Sequence, residues 1–329
     1  MKKVIARKCD DAKVGRHFDA ILTIQRNSYI HKEVLNIRKT KNNQGNEFLK
    51  KMYQSNDLSE VIHYARLLSL LGDPRLNPGE IPNMVFIKGG EAKIGIDEQD
   101  IQKIVEKYSC VGVLEEWIMK ETPKHLRTID DFWMSIYPVT NLEYYLFLLE
   151  NYDAEVPSSW TFGSFPIEKS NHPVYSIGFE SALKYCSWLS KKTGKTFSLP
   201  TEFEWEWAAG QSLREYPWGD TYSPEYANTA ELGIMSTTPV GCFKLGATPN
   251  GIYDLAGNVE ELTISDYHPY PEGKFIVDDL VTNDGYRYKI TKGGCFSRFS
   301  DLCRVSRRHG VKSSDGVDRY AVGFRIIMK

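Results

Sequence analysis

Cysteine is the residue type in this chain best suited to redox or metal chemistry. The spacing of the cysteines argues against one common role, the binding of a structural zinc ion. The six cysteines are scattered, without a Cys-x-x-Cys pair or a Cys/His cluster of zinc-ligand spacing. The sequence therefore predicts no structural zinc site. Two of the cysteines, Cys295 and Cys303, lie in residues 292–326, where no helical or strand period is sustained. The sequence leaves three interpretations of this stretch: an active site, a binding surface or an ordinary surface loop.

Other arrangements typical of catalysis are missing from the sequence. Serine and histidine occur without a nucleophile-elbow pattern, and "KGG" at residues 292–294 is too weak a signal for a phosphate-binding loop. The acidic run "TEFEWE" at residues 201–206 is typical of a helix start, where the helix dipole favours carboxylates. It does not indicate a pair of carboxylates for acid/base catalysis.

Composition and charge narrow the function classes further. A chain of 329 residues with 41% hydrophobic residues can bury a sizeable core. Its net charge of −2 gives no reason to expect nucleic acid or an anionic membrane as partner. The start "MKKVIARKCDDAK" lacks the apolar run of a signal peptide, and no stretch reaches transmembrane length. We therefore expect a cytoplasmic protein with reduced thiols, with export by an unconventional route as the alternative.

The chain divides into two regions that differ in sequence pattern. Residues 1–78 are predicted to form a helical N-terminal segment, because residues 19–37 and 57–73 place apolar residues at three- and four-residue spacing. The second of these helices is expected to end at Gly72, and the turn-rich "RLNPGEIPN" to form a linker. Residues 79–329 then form the main domain.

Within the main domain, four short elements can be placed. "MVFIKGG" predicts a strand, and "TNLEYYLFLLE" predicts a short helix. "GFESALKYCSWLSKKTG" has one apolar face and ends at Gly194, which suits a helix C-cap. In "LPTEFEWEWAAG", Thr201 and Glu204 have the spacing of a capping box. Long irregular connections join these elements.

An ordered set of motifs resembles the formylglycine-generating enzyme (sulfatase-modifying factor) family over about residues 84–328. They are "MVFIKGGEAKIG", "FWMSIYPVTNLEYYLFL", "HPVYSIGFESALKYCSWLSKKTGKTFSLPTEFEWEWAA", "YPWGD", "YDLAGNVEEL", "KGG" and "VGFRI". The resemblance implies an α+β, C-type-lectin-like fold with a small antiparallel sheet, two main helices and much irregular loop. The short helical segment would precede this domain.

The catalytic members of this family hold copper between two cysteines shortly after the Gly-Gly pair. Those two positions fall on Arg298 and Cys303 here, so half of the pair is missing. Cys295 is close but at the wrong spacing. A single thiolate holds Cu(I) poorly. We therefore expect no copper and assign Cys303 to the packed core, with a divergent oxidoreductase or modifying enzyme using Cys303 as the alternative.

Relatives of the ergothioneine type have a three-histidine iron site that a "H-x-x-x-H-x-E"-like pattern marks. In this chain His17, His31 and His63 are isolated. A lone histidine is more often structural or solvent-exposed than a metal ligand. No iron is expected.

A structural calcium ion is also implied by the resemblance. Asp254, Gly257, Val259 and Glu261 in "YDLAGNVEEL" stand at the offsets of a family calcium site. Carboxylates and backbone carbonyls suit a hard cation. The alternative is that Asp254 and Glu261 only cap and pair locally. A second family site would begin at Asn228, but its acidic loop is shortened here.

Residues 292–326 also resemble the variable region of proteins diversified by retroelements, in which adenine mutagenesis rewrites Asn codons. Such codons cannot become Lys, Glu, Gln, Met or Trp. Residues 295–321 contain one of these five types, Lys312, where whole-chain composition predicts roughly five or six. Gly293, Gly294, Phe296, the "CRVS" run and "VGFR" would form the fixed framework between the variable positions. An ordinary divergent loop is the alternative.

The variable positions have the composition of a binding surface, with aromatic residues, arginine and small polar residues. An excess of basic residues predicts an acidic patch on a protein or other macromolecular ligand. Arg304 and Arg325 belong to the framework and are predicted to form buried pairs. The predicted contact residues are Phe296, Arg298, Phe299, Ser300, Asp301, Leu302, Arg307, His309, Val311, Ser313, Asp315, Asp318 and Tyr320.

The sequence therefore favours a non-catalytic, ligand-binding protein with a variable C-terminal surface. The enzyme alternative requires Cys303, with or without Cys295, and a metal. A third possibility is an adaptor, in which the N-terminal helices dock onto a protein partner while the main domain presents its surface.

Overall fold

The computed structural model has the predicted α+β composition, with short strands, few helices and long ordered connections. In it, no helix of the described residues is long and apolar enough to cross a membrane. The helix predicted at residues 19–37 and the predicted contact residues Ser313, Asp315, Asp318 and Tyr320 lie outside those residues. The structure describes residues 43–151, 153–210, 213–278, 281, 288–311 and 321–329.

Seven α-helices and ten strands make up the regular structure of this part of the chain. The helices are α1 (Asn43–Gln54), α2 (Leu58–Leu71), α3 (Ile101–Lys107), α4 (Glu115–Met119), α5 (Asn141–Glu150), α6 (Phe179–Thr193) and α7 (Glu202–Ala209). The strands are β1 (Met84–Ile87), β2 (Gly90–Ile94), β3 (His125–Ile129), β4 (Phe132–Ser135), β5 (Phe197–Ser198), β6 (Glu260–Asp266), β7 (Lys289–Lys292), β8 (His309–Val311), β9 (Val322–Gly323) and β10 (Ile327–Met328).

Helices α1 and α2 pack against the rest of the chain. The Asp57 side chain caps α2 by accepting a hydrogen bond from the Ser59 backbone N–H at 2.7 Å. The α2 face that carries Val61, Ala65 and Leu68 is buried in a cluster with Phe243 of the main domain. The apolar face that defined this helix in the sequence is therefore used within the chain.

Two four-stranded sheets and a separate pair of antiparallel strands organise the main domain. One sheet has the antiparallel order β1-β4-β10-β5, and β2 pairs with β3. The other sheet has the order β8-β7-β6-β9, in which β6 and β9 run parallel. This second sheet aligns residues from two distant parts of the chain, because β8 and β9 belong to the C-terminal stretch.

The helix ends of the main domain follow the predicted local rules. Thr201 and Glu204 form the predicted capping box at α7, and Thr140 with Glu143 forms another at α5. Helix α6 ends at Gly194, which has a left-handed φ of 70° and donates its N–H to Ser190. Helices α5 and α6 pack through buried aromatic rings in the largest core cluster.

Residues 96–121 form a segment that the sequence analysis did not predict. It carries α3 and α4 between strands β2 and β3. Its own small core includes Tyr108, Val113 and Ile118. The end of this segment, at residues 117–121, reaches the C-terminal stretch and contributes to its framework.

Candidate functional site

The C-terminal stretch begins with two glycines that no other residue could replace without strain. Gly293 and Gly294 have φ values of 93° and 65°. A Cβ atom on Gly294 would lie 3.1 Å from the Cβ of Leu302 and 3.2 Å from the Sγ of Cys303. The turn after β7 is therefore tight, and it folds the following loop back onto itself.

Arg304 is fixed by a buried carboxylate from the segment 96–121. Its Nη1 and Nη2 atoms donate to the two carboxylate oxygens of Glu121 at 2.8 and 2.7 Å, and Ser306 Oγ also donates to Glu121. Arg304 is 1% exposed and Glu121 is 0% exposed. Although burial alone would raise it, the charge and hydrogen bonds of Arg304 hold the pKa of Glu121 below its usual range.

Arg325 and Arg308 are held in the same way. Arg325 donates to both oxygens of Glu261 at 2.6 and 2.7 Å, and Arg308 donates to both oxygens of Glu202 at 2.8 and 3.0 Å. These bidentate pairs are buried. The structure thus confirms the prediction of buried pairs for Arg304 and Arg325 and adds Arg308 to the framework.

Four of the predicted contact residues are buried, which corrects the expectation of a single exposed surface. The turn Ser300–Cys303 folds inward, and the Ser300 N–H donates to Glu231 at 2.8 Å. Arg307 turns inward as well, and its Nη1 donates to the backbone oxygen of Arg308 at 2.9 Å. The buried residues are Ser300, Asp301, Leu302 and Arg307.

Five predicted contact residues keep solvent-accessible side chains. Phe299 is 45% exposed, and the other four are partly exposed. They come from two segments, residues 296–299 and 309–311, which lie on either side of the buried residues 300–308 in the sequence. We call these five the C-terminal surface: Phe296, Arg298, Phe299, His309 and Val311.

Glu260 on β6 contacts His309 of the C-terminal surface and is close enough to Arg298 for the arginine charge to lower the pKa of its carboxyl. The Glu260 carboxylate accepts hydrogen bonds from His309 Nδ1 at 2.6 Å and from Thr291 Oγ1 at 2.5 Å. Burial alone would raise the pKa of Glu260, but His309, Thr291 and the charge of Arg298 keep it below the usual range. A buried carboxylate therefore anchors the base of this surface.

Neighbouring loops border the C-terminal surface. The ring of Phe296 meets the ring of Tyr175 edge to face at 5.8 Å. The Phe296 N–H donates to the Asn258 carbonyl, and the Ala230 N–H donates to the Arg298 carbonyl. Sequence reasoning missed Tyr175 and Glu260, since neither carries a motif that indicates binding.

The thiols of the C-terminal stretch are buried in the core. Cys295 is 2% exposed and Cys303 is 0% exposed. Burial raises the pKa of both thiols, and that of Cys303 to well above its usual value. Because the thiolate is the form that attacks and binds metals, these environments favour an inert thiol. Cys303 packs with Tyr216 in a small cluster.

Both carboxylates of the implied calcium site already accept hydrogen bonds from other groups of the chain. Both carboxylate oxygens of Glu261 accept hydrogen bonds from Arg325, and Trp205 Nε1 donates to one of them at 2.7 Å. Asp254 accepts from the Gly241 N–H at 2.6 Å, and burial raises its pKa to about 6. The arrangement supports the alternative of local pairing. Among the described residues there is no group of three or more His, Cys, Asp or Glu placed to hold a metal.

Comparison with known proteins places this geometry in a family. Residues 72–329 match the family model described as "Sulfatase-modifying factor enzyme 1-like domain". A serine/threonine-protein kinase pkn1 of Chlamydia caviae is 30% identical over 74% of this chain, which spans only 37% of that protein. An inactive C-alpha-formylglycine-generating enzyme 2 of Mus musculus is 29% identical over 62% of this chain and 76% of that protein.

Solved structures share the fold. The structure of PvdO from Pseudomonas aeruginosa has a TM-score of 0.57 at 24% identity, covering 77% of this chain and 99% of that chain. Treponema denticola variable protein 1 has a TM-score of 0.55 at 20% identity, covering 74% and 94%. The predicted C-type-lectin-like fold is confirmed, and the chain belongs to the sulfatase-modifying factor enzyme 1-like family.

Proposed function

We propose that this chain is a non-catalytic binding protein that presents its C-terminal surface to a protein ligand. The observation that carries the proposal is the division of one short stretch into two kinds of side chain. Arg304, Arg308 and Arg325 are buried in bidentate ion pairs. Arg298 and Phe299, close by in sequence, remain accessible to solvent. A framework of this kind can hold a surface whose side chains differ between variants.

The composition of the surface suits protein recognition. Aromatic and arginine side chains supply most of the binding energy in protein interfaces. The C-terminal surface combines both types around Glu260, which is already engaged by His309 and Thr291. An acidic patch on the ligand would complement Arg298.

We further propose that the stretch is diversified by a retroelement. The deficit of Lys, Glu, Gln, Met and Trp in residues 295–321 supports this, and so does the shared fold of Treponema denticola variable protein 1. Sequencing the DNA around the gene should show a near-copy of its 3′ end, with Asn codons at these positions, beside a reverse transcriptase. Its absence would return residues 295–321 to the class of ordinary divergent loops.

The binding proposal is tested by changing the accessible side chains alone. Constrained peptides selected from a phage-displayed library on the full chain serve as the probe. The double change Arg298→Gln and Phe299→Ala should weaken peptide binding at least about tenfold with little change in Tm. Leu126→Ala is the matched control, because Leu126 is 62% exposed on β3. Unchanged binding, or a large fall in Tm, would contradict the proposal.

The enzyme alternative has little support in the geometry. Its essential Cys303 is buried and its thiol pKa is raised, and Arg298 stands at the position of the partner thiolate. We propose that the chain forms no copper or iron site. Metal analysis of the purified protein tests this, since stoichiometric copper or iron would restore the enzyme hypothesis.

The adaptor role of the N-terminal helices also remains a proposal. The inner face of α2 is occupied within the chain, so a partner would contact outward residues such as Tyr53 and Leu70, each 50% exposed. Removal of residues 1–42 and the double change Tyr53→Ser and Leu70→Ser would be compared for partner binding. Loss of partner binding through the surface change alone would assign the contact to α1 and α2.

A further inference from the structure

Helices α1 and α2 precede the matched family domain in the chain and pack against it. The family model begins at residue 72, whereas α2 ends at Leu71. The core that the two helices share includes Met52, Ala65 and Leu68, each of which is 0% exposed. The helices are therefore an addition to the family domain, and their inner face is buried within the chain.

This inner face contacts a part of the main domain that we call the bridging segment, residues 228–243. Cys242 and Phe243, at the end of the segment, are buried in the same cluster as α1 and α2. Leu232 and Ile234, near its start, pack against that cluster and are partly buried. The position of the bridging segment therefore depends on the two helices.

Hydrogen bonds reinforce this dependence at two further points. Lys244, directly after the bridging segment, donates from Nζ to the carbonyl oxygens of Tyr53 and Ser55 at the end of α1, each at 2.8 Å. Arg75, which follows α2, donates from Nη1 to the Val240 carbonyl at 2.8 Å. Polar and apolar contacts together seat the bridging segment on the N-terminal helices.

The bridging segment also holds the residues on either side of Phe299. The Ala230 N–H donates to the Arg298 carbonyl at 2.9 Å, and the Ser300 N–H donates to Glu231 Oε1 at 2.8 Å. Phe299, between these two bonds, is 45% exposed. The segment therefore sets the backbone position from which Arg298 and Phe299 reach solvent.

A second connection to the C-terminal surface passes through the buried residue Asn258. Asn258 Oδ1 accepts from the Thr238 N–H at 3.0 Å, and the Asn258 N–H donates to the Asn228 carbonyl at 2.8 Å. The Asn258 carbonyl in turn accepts from the Phe296 N–H at 3.1 Å. Phe296 is thus tied to the bridging segment as well.

One short turn makes both kinds of contact. Ala230–Leu232 form a single 3-10 turn. Ala230 and Glu231 bond to the C-terminal stretch, and Leu232 packs against the α1–α2 cluster. Because these residues are consecutive, a shift of Leu232 would move the groups that hold Arg298 and Ser300.

We infer that α1 and α2 position Arg298 and Phe299 for ligand binding, through the bridging segment and without touching the ligand. The inference rests on the proposed function, since it assigns positioning residues to the same C-terminal surface. The assigned positioning residues are Leu68 on α2, Leu232 in the bridging segment and Lys244 directly after it.

The first test loosens α2 from the bridging segment in the full chain. Leu68→Ala leaves a cavity in the α1–α2 cluster, and Ile94→Ala leaves one in a different core cluster. Both side chains are 0% exposed and lose the same number of carbon atoms. Among the described residues, the cluster of Ile94 includes neither the bridging segment nor the C-terminal surface.

The two cavity variants should have similarly lowered Tm values but different binding. Affinity for the selected constrained peptides, measured well below both Tm values, should fall about two- to thirtyfold in Leu68→Ala. It should stay unchanged in Ile94→Ala.

Lys244→Met makes the same comparison without a cavity. It removes both hydrogen bonds to the end of α1 and leaves the apolar cluster in place. Lys184→Met is the control, because Lys184 on α6 also donates from Nζ, to Asp153 at 2.9 Å. Only Lys244→Met should weaken peptide binding. It should also speed hydrogen exchange at the Ala230 and Ser300 amides, whose bonds the bridging segment maintains.

The outcomes separate this inference from the proposed function. If Arg298→Gln with Phe299→Ala weakens peptide binding while Leu68→Ala and Lys244→Met do not, the inference is overturned and the proposed function stands. Equal weakening in Leu68→Ala and Ile94→Ala would point to general loss of stability and would also overturn it. If the double change has no effect, the proposed function fails and the inference fails with it. Should Leu68→Ala not fold, the result for Lys244→Met decides.

Discussion

Arg298 and Arg304 belong to the same loop yet have opposite environments. Arg304 is 1% exposed, and its guanidinium is fixed by both oxygens of Glu121. Arg298 remains partly exposed, and its charge helps to lower the pKa of Glu260. Residue type therefore does not decide whether a side chain belongs to the framework or to the surface. Arg304 belongs to the framework because a buried carboxylate accepts hydrogen bonds from both ends of its guanidinium group.

The largest effect is expected from breaking the framework pair. Arg304→Met leaves the buried Glu121 carboxylate with only the more distant Arg307, 3.9 Å away, as its cation. The loss of the bidentate partner should lower the free energy of unfolding by about 3–5 kcal/mol. The double change Arg304→Met and Glu121→Met removes both charges and should recover much of that loss. Urea unfolding measures both variants. If the single and double variants are equally destabilised, the pair is not what fixes the loop.

A pH-dependent effect on stability is expected at the buried carboxyl of Asp254. Burial raises the pKa of Asp254 to about 6 in the folded chain, above its unfolded value of 3.8. The folded state therefore binds more protons, so this carboxyl costs stability as pH rises from about 4 to 6 and above. The shift corresponds to about 3 kcal/mol at pH 7.

Asp254→Asn tests this dependence. The variant should lack that part of the decline in unfolding free energy between pH 4 and pH 7, since the amide does not titrate. Thermal unfolding across this range, compared with the unchanged chain, gives the difference. Parallel curves for the two proteins would show that Asp254 does not titrate as described.

An intermediate effect is expected at the turn that begins the loop. Gly294→Ala adds a Cβ within 3.1 Å of Leu302 at a φ of 65°, which should cost about 1–3 kcal/mol. Gly233→Ala is a matched control, because Gly233 has a φ of 75° but no atom within 4 Å of the added Cβ. It should lose less stability. Equal losses would mean that only backbone strain, and not packing against Leu302, limits this turn.

The smallest effect on stability is expected at Phe299, on the solvent-accessible C-terminal surface. Phe299→Ser should change the free energy of unfolding by no more than about 0.5 kcal/mol, because the side chain is 45% exposed. Thermal unfolding is the measurement. A loss as large as that of Arg304→Met would place Phe299 in the framework and remove the distinction.

Much of the framework could be predicted from local sequence rules. The capping box of Thr201 and Glu204 and the end of α6 at Gly194 depend on neighbours along the chain, which the sequence displays. The buried roles of Arg304 and Arg325 followed from the family motif. The partners of these arginines did not, because Glu121 lies 183 residues from Arg304 and carries no signal of its own.

The accessible surface was predicted only in part. Composition identified residues 295–321 as a candidate surface, but it gave no information on which side chains face the core and which face solvent. Ser300, Asp301 and Leu302 face inward because the loop closes in a single 3-10 turn. Arg307 is covered by the segment 96–121, whose packing sequence periodicity did not reveal. Tyr175 joined the site only through its tertiary contact with Phe296.

The position of β10 has a consequence for how variants of this chain are made. β10 lies between β4 and β5 in its sheet, and β9 and Arg325 also follow the proposed diversified residues along the chain. A stop codon or frameshift within residues 295–321 would therefore delete one of the two interior strands of that sheet and the partner of Glu261. Such a product could not assemble its core. Rewriting the adenines of Asn codons cannot create a stop codon, because these codons end in C or T. Diversification of that kind would therefore leave β9, Arg325 and β10 in every variant.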